Sequence, residues 1–237
     1  MKGDNQKAIE LLRQNVGMPG ETVWQRVRLG EIYFRTGSVE KAAEQYEAAQ
    51  KLQPESYLVL EHLAELRAAQ GKFDEATGLY QKVIACVPRG EFYQALGDVY
   101  EFMGKSADAM PWYNRARDAY LKSVGQGNAH YYHHLAGFYS DAQENPAEAL
   151  RWARKDLEVR RSVYALDSLA WALYKNCEHA RAVEEMTRAL ALGTQDAHLL
   201  FHVGMSHSRA GDLVRGREFL KQALMVNARY NSFHVHR

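Results

Sequence analysis

Apolar residues recur along this chain at intervals of three and four, and short polar stretches interrupt them every dozen or so positions. That period predicts helices joined by tight turns, and no segment alternates in the manner of a strand. The pattern also repeats on a longer scale. Leu29-Gly30-Glu31-Ile32-Tyr33 is echoed by Leu63-Ala64-Glu65-Leu66-Arg67 and by Leu96-Gly97-Asp98-Val99-Tyr100. It returns as Leu135-Ala136-Gly137-Phe138-Tyr139, Leu169-Ala170-Trp171-Ala172-Leu173 and Val203-Gly204-Met205-Ser206-His207. The small residue falls at 30, 64, 97, 136, 170 and 204, and successive copies lie 34, 33, 39, 34 and 34 residues apart.

Each copy carries a second small residue twelve or thirteen positions on, at Ala42, Ala76, Ala109, Ala149, Ala182 and Gly216. A bulky residue follows four later at Tyr46, Tyr80, Tyr113, Met186 and Leu220, with Ala153 the exception. A third small site falls at Ala49, Ala116, Ala189 and Ala223, where Val83 and Asp156 depart. Two interlocked helical periods describe a hairpin of helices, in which small residues on facing sides let the backbones approach and bulky ones fill the gaps. Thr36-Gly37-Ser38, Gln70-Gly71-Lys72, Met103-Gly104-Lys105 and Ala210-Gly211-Asp212 supply the turns. Glycine tolerates the left-handed conformation that ends a helix, and Ser38 or Asp212 can cap the next. One hairpin cannot bury both its faces, so stability has to come from stacking on neighbours.

These residues resemble the tetratricopeptide repeat, a 34-residue helix-turn-helix unit with small residues at its eighth, twentieth and twenty-seventh positions and a proline near its end, as at Pro54 and Pro88. The likeness covers nearly the whole chain, and the closing units resemble repeats of many bacterial proteins. It implies an all-α fold, a right-handed superhelical solenoid of stacked hairpins. The expected organisation is a single array: a partial leading repeat over 1–22, units over 23–56, 57–89, 90–128, 129–162, 163–196 and 197–230, and a short tail over 231–237. The leading stretch reads as the second helix of a unit whose first is missing, and only Arg229 to Arg237 follows the sixth unit. Such ends imply a piece of a longer protein, or ends that pack on something. Residues 121–128 add about five positions and two glycines, read either as a bend giving three units plus three or as a tolerated loop insertion. The fourth unit has one extra residue, expected in its turn at Gln143-Glu144-Asn145-Pro146.

The resemblance implies a non-catalytic scaffold or adaptor that holds a protein or peptide segment in a concave groove lined by the first helices. Groove positions then fall on Trp24, Arg28, Glu61, His62, Glu65, Asp98, Glu101, His130, His133, His134, Tyr164, Asp167, Trp171, Tyr174, His198, Phe201, His202 and Met205. The amino-terminal half of that set is acidic and the carboxy-terminal half is rich in aromatics, Met and His, which suits a basic, amphipathic segment. The family's clamp for chaperone C-termini does not carry over. It needs Lys and Asn where this chain has Val27/Glu31, Glu61/Glu65 and Gln94/Asp98. A competing expectation is a structural oligomer joined through uncapped ends. A third is a metal- or pH-responsive module using groove histidines.

His130/His134 and His198/His202 stand four apart on helices, a spacing that can bring two imidazoles to one ion. Two such ligands make a weak site unless a carboxylate such as Asp141 or Asp167 joins them, so solvated groove histidines, no metal and no cofactor are the expectation. No phosphate loop, nucleophile elbow or zinc-protease motif is present, so catalysis is not expected. Cys177, with His179 two residues on, reads as a turn residue standing where glycine is usual. Cys86 and Cys177 are expected as a reduced, buried pair.

Composition narrows the partners. Lys+Arg is 30 and Asp+Glu 29 in 237 residues, a balance that disfavours a nucleic-acid face or a polybasic membrane anchor. Met1-Lys2-Gly3-Asp4 is not a signal peptide and no stretch reaches the length of a membrane span. The expectation is a soluble chain, of cytoplasm or periplasm, with the compartment undetermined.

Overall fold

The computed structural model describes residues 5–192 and 196–227. The expected tail 231–237 and the first four residues lie outside the described residues. Among the described residues thirteen α-helices follow one another and no strand occurs. They are α1 (Asn5–Arg13), α2 (Val23–Arg35), α3 (Val39–Leu52), α4 (Tyr57–Ala69), α5 (Phe73–Cys86), α6 (Gly90–Phe102) and α7 (Ser106–Gly125). After them come α8 (Tyr132–Gly137), α9 (Pro146–Val159), α10 (Val163–Lys175), α11 (His179–Ala191), α12 (Ala197–Arg209) and α13 (Leu213–Val226). From α2 onward they pack as consecutive hairpins, α2 with α3 through α12 with α13, and first helices also touch first helices, α2 on α4, α8 on α10 and α10 on α12. The result is an all-α solenoid.

Local chemistry starts these helices. Thr22 and Gln25 form a reciprocal capping box, and Asn145, Ser162, Asp196 and Asp212 each accept a backbone N–H at a helix start. Ser38, expected to do the same, makes no such side-chain bond. Gly37, Gly71, Gly104 and Gly211 hold the hairpin turns at positive φ, and Cys177 occupies the equivalent place at φ 61°. Both cysteines are exposed free thiols, which corrects the expectation of a buried pair. Each sits at a helix end whose side chain looks outward.

Small-on-large packing fixes the hairpins. A Cβ on Gly30 would lie 2.4 Å from the Tyr46 ring, and one on Gly97 2.6 Å from that of Tyr113. In these two units the glycine therefore receives a tyrosine ring from the second helix, where the sequence suggests small residue against small. Ala42, Ala76, Ala109, Ala149 and Ala182 are all sealed, as are Tyr46, Tyr80 and Met186. Interiors so filled tolerate little added volume.

The fourth hairpin is irregular. It opens with a 3-10 turn (Ala129–Tyr131), and after α8 a π turn spans Phe138–Ala142, with Gln143 N–H donating to Phe138 C=O at 3.0 Å. The extra residue expected in the loop after this helix is thus absorbed inside it, as π turns commonly do.

The array also returns onto itself. Asn227, at the end of α13 and 3% exposed, donates through Nδ2 to the Phe34 carbonyl at 3.2 Å. A Cβ on Gly37 would meet the Val226 carbonyl at 3.0 Å. Arg35 Nη2 donates to the Tyr164 hydroxyl at 3.3 Å and stands 3.9 Å from the Asp196 carboxylate. The end of the last hairpin therefore rests on the turn of the first. No helix among the described residues is long and apolar enough to cross a membrane.

Candidate functional site

The wall built by the first helices carries the expected groove residues, and the structure sorts them into three groups. Trp24, Arg28, Glu101, His130 and Tyr164 are exposed. Glu61, Asp98, His133, Tyr174, His198, Phe201 and Met205 are half-buried. His62, Glu65, His134, Asp167, Trp171 and His202 are buried, so these six are not open to a peptide in this conformation. Of the histidines expected to be partly solvated, His62, His134 and His202 are instead buried and ring-stacked. His62 lies 5.4 Å from Tyr46 and His134 5.4 Å from Tyr120, each against a tyrosine of the preceding second helix. Helical period alone points them inward, but the neighbouring hairpin covers them.

The acidic half of the wall is largely paired within the chain. Glu31 accepts from Arg28 at 2.6 Å, Asp98 from the Tyr113 hydroxyl at 2.9 Å and Glu101 from Ser106 at 2.8 Å, and Glu65 stands 3.4 Å from His62. Burial and the Asp98 charge push the Tyr113 phenol far above its ordinary range, so it stays a donor.

The aromatic half is organised around Trp171. The π turn carries Asp141, whose carboxylate accepts the Trp171 indole N–H at 3.0 and 3.1 Å. Tyr174 stacks on the indole at 4.5 Å and His202 at 3.9 Å, both nearly parallel to it. Lys175 bonds Asp141 at 3.3 Å and Glu144 at 2.7 Å, and those carboxylates raise the lysine's pKa against the opposing effect of burial. Beside this stack, Phe201 stands 6.3 Å from Trp171, and Tyr164 is 47% exposed.

Beneath it, Asp167 of α10 bridges two histidines of α12. Its carboxylate oxygens lie 2.8 Å from His198 Nε2 and 2.9 Å from His202 Nδ1. Burial works against the charge on Asp167, but the two imidazoles outweigh it and hold the carboxyl well below the usual range. Burial likewise opposes a proton on His198, yet the Asp167 charge raises its pKa, while for His202 burial prevails and lowers it. The sequence offers Asp141 and Asp167 as carboxylates for the histidine pairs, and of the two it is Asp167 that bonds His198 and His202. The signal for that partner is its separation of 31 and 35 residues, close to one repeat, which stacks α10 beside α12.

The other histidine pair belongs to no three-ligand group among the described residues. Arg160, ion-paired to the buried Asp156, donates to His133 Nδ1 at 2.8 Å and to the His130 carbonyl at 3.3 Å. His130 and His134 have ring centroids 5.5 Å apart, and no third donor joins them among the described residues.

Comparison with known proteins agrees with this architecture. Tetratricopeptide repeat models match residues 27–91, 90–120 and 128–168. No curated protein matches the chain. Among solved structures, the hetero-tetramer of the APC/C subunits Cut9 and Hcn1 aligns with TM-score 0.58 at 14% identity, over 99% of this chain and 45% of that one. The chain thus spans less than half the length of that relative. A tetratricopeptide repeat protein from Parabacteroides merdae ATCC 43184 aligns with TM-score 0.59 at 20% identity, over 97% and 89% of the two chains. PilW, a type IV pilus biogenesis factor, aligns with TM-score 0.52 at 16% identity, over 89% and 96%. Recurrent small-on-large hairpins, the stacked helix pairs and the three matched models lead to one conclusion: the chain belongs to the tetratricopeptide repeat family.

Proposed function

We propose that the chain is a non-catalytic interaction scaffold. It holds a peptide or protein segment against the first-helix wall, over Tyr164, Tyr174, Phe201 and Met205. The observation that carries this reading is the contrast between those partly exposed apolar side chains and the sealed stack beneath them. Trp171, locked between Tyr174 and His202 and tied to Asp141, holds the surface in one arrangement before any ligand arrives. Preorganised anchors lower the ordering cost of binding. The neighbours Cut9–Hcn1 and PilW are named for a multiprotein complex and for pilus assembly, which supports the same class of work on this fold. Glu61, Asp98 and Glu101 on the same wall favour a segment that is basic as well as amphipathic.

The test is selection of binders from a displayed-peptide library, followed by affinity measurement on variants. Phe201→Ala and Tyr164→Ala are each expected to weaken a selected peptide about tenfold, or roughly 1.4 kcal/mol. Leu213→Ala, on α13, serves as a control and should leave affinity unchanged. Equal affinities for wild type, F201A and Y164A would remove the wall as the binding surface. Trp171→Ala is a poorer probe, because it would collapse the stack that supports the surface.

One observation favours a second reading, self-association. Leu213, Val214, Leu224 and Met225 on α13 are 66%, 73%, 60% and 86% exposed, two apolar pairs at the two ends of this helix. Light scattering separates the readings: a mass that climbs with concentration indicates pairing through α13, and a constant monomer mass excludes it.

A further inference from the structure

The Asp167, His198 and His202 donor atoms all lie within 4.8 Å of one another, the one such three-ligand group among the described residues. Both carboxylate oxygens are turned to imidazole nitrogens, one from each of two residues a helical turn apart. The carboxylate is sealed and His202 is 2% exposed, whereas His198 retains 15% of its side-chain exposure. One edge of the group is therefore reachable from the wall. Hydrogen bonding alone leaves this cluster incompletely satisfied, because His202 Nε2 is buried without a partner. A buried polar atom left so is costly, and an ion held at Nδ1 would not relieve it; what marks the site is the convergence of the three donor atoms.

We propose that Asp167, His198 and His202 form a site for a divalent transition-metal ion, with zinc the best match. Metal–ligand bonds of about 2.1 Å place the donors of one tetrahedral ion about 3.4 Å apart. The present spacings of 2.8 and 2.9 Å run to different carboxylate oxygens, and the three ligand atoms already lie within 4.8 Å of one another, so modest side-chain shifts bring them to that separation. Two imidazoles with one carboxylate select zinc and its neighbours over magnesium and calcium, which prefer all-oxygen shells. The surrounding charge favours a dication. Asp141 and Asp196 add negative potential at His198, and the nearest cations are committed elsewhere, Lys175 to Asp141 and Glu144, and Arg35 to Tyr164 and Asp196. Three protein ligands leave a fourth position, on the His198 side, for water. The ion would cross-link α10 to α12, joining the fifth hairpin to the sixth. This inference is independent of any peptide on the wall.

The experiment is calorimetric titration of the chelator-stripped full-length chain with zinc, alongside thermal unfolding and the visible spectrum of the cobalt-substituted protein. One equivalent should bind, raise Tm, and give cobalt the intense d–d absorption of a tetrahedral site. His198→Ala sits at the exposed edge and Asp167→Asn keeps the shape of the side chain, so both variants should fold, as circular dichroism will check. Each should lose at least about a hundredfold in zinc affinity, more than removal of an outer-shell group typically costs. His130→Ala should bind as wild type does. No saturable binding, or an affinity unchanged in both folded H198A and D167N, would overturn the site. So would loss of the zinc equivalent in H130A alone.

Discussion

At the scale of single residues the turn positions carry a clear energetic signature. Cys177 holds φ 61° where the equivalent turns use Gly37, Gly71, Gly104 and Gly211. A side chain in the left-handed region costs roughly 1–2 kcal/mol, and glycine gives back part of that through greater freedom of the unfolded chain. The Cys177 thiol is exposed, so removing it sacrifices no core contact. Cys177→Gly is therefore expected to stabilise the chain by about 0.5–1 kcal/mol, seen as a higher midpoint in urea unfolding. A lower midpoint would mean that the thiol makes a contact the turn geometry does not reveal. This position was legible in the sequence because a turn between two helical periods demands glycine wherever the repeat falls. The burial of His62, His134 and His202 was not. Their place on one helix points inward, and only the ring arriving from the preceding hairpin decides whether water reaches them.

Among the helices, most of the architecture could be read from the small positions, because a site that must admit a neighbouring backbone or ring admits few residue types. Where a unit broke that rule, the structure found its own accommodation. The extra residue of the fourth unit became a π turn, which presents Asp141 to Trp171, and no local signal distinguishes this from a longer loop. Asp156 is a further departure. It stands on α9, at the register where α3, α7, α11 and α13 carry Ala49, Ala116, Ala189 and Ala223, and it is 1% exposed against Arg160. Replacing a buried ion pair by apolar packing is often neutral or stabilising, and Arg160 is exposed enough to recover its hydration. Burial raises the Asp156 pKa above its ordinary value, with Arg160 opposing. The folded state thus holds this proton to higher pH than the unfolded chain does, and the associated stabilisation is present in acid and lost as pH rises through the folded value. Asp156→Ala is accordingly expected to change stability by less than about 1 kcal/mol near the unfolded carboxyl pKa, and to compare more favourably with wild type at neutral pH. Unfolding midpoints at both pH values test this. A loss of more than about 2 kcal/mol at neutral pH would show the Arg160–Asp156 pair to be a net support for α9.

For the whole molecule, the decisive contact joins residues that no local pattern could connect. The bond from Asn227 to the Phe34 carbonyl spans 193 positions, and the Arg35 bond to Tyr164 spans 129. Whether a solenoid closes depends on small rotations added at every hairpin, so an insertion such as that in α7 changes the outcome without leaving a motif at either end. One buried hydrogen bond contributes about 1 kcal/mol, and a half-exposed ion pair at 3.9 Å adds little. Losing the Asn227 bond should then cost the closed form about 1 kcal/mol, a shift of roughly fivefold toward the open one. Asn227→Ala is therefore expected to raise the radius of gyration measured by small-angle X-ray scattering while leaving helix content unchanged, because each hairpin keeps its own stacking partners. Arg35→Ala, whose partners are nearer the surface, should open the array less. A scattering profile for N227A that superimposes on wild type would mean that the curvature of the hairpins alone brings the ends together. The Phe34–Asn227 bond would then be a consequence of closure and not its latch.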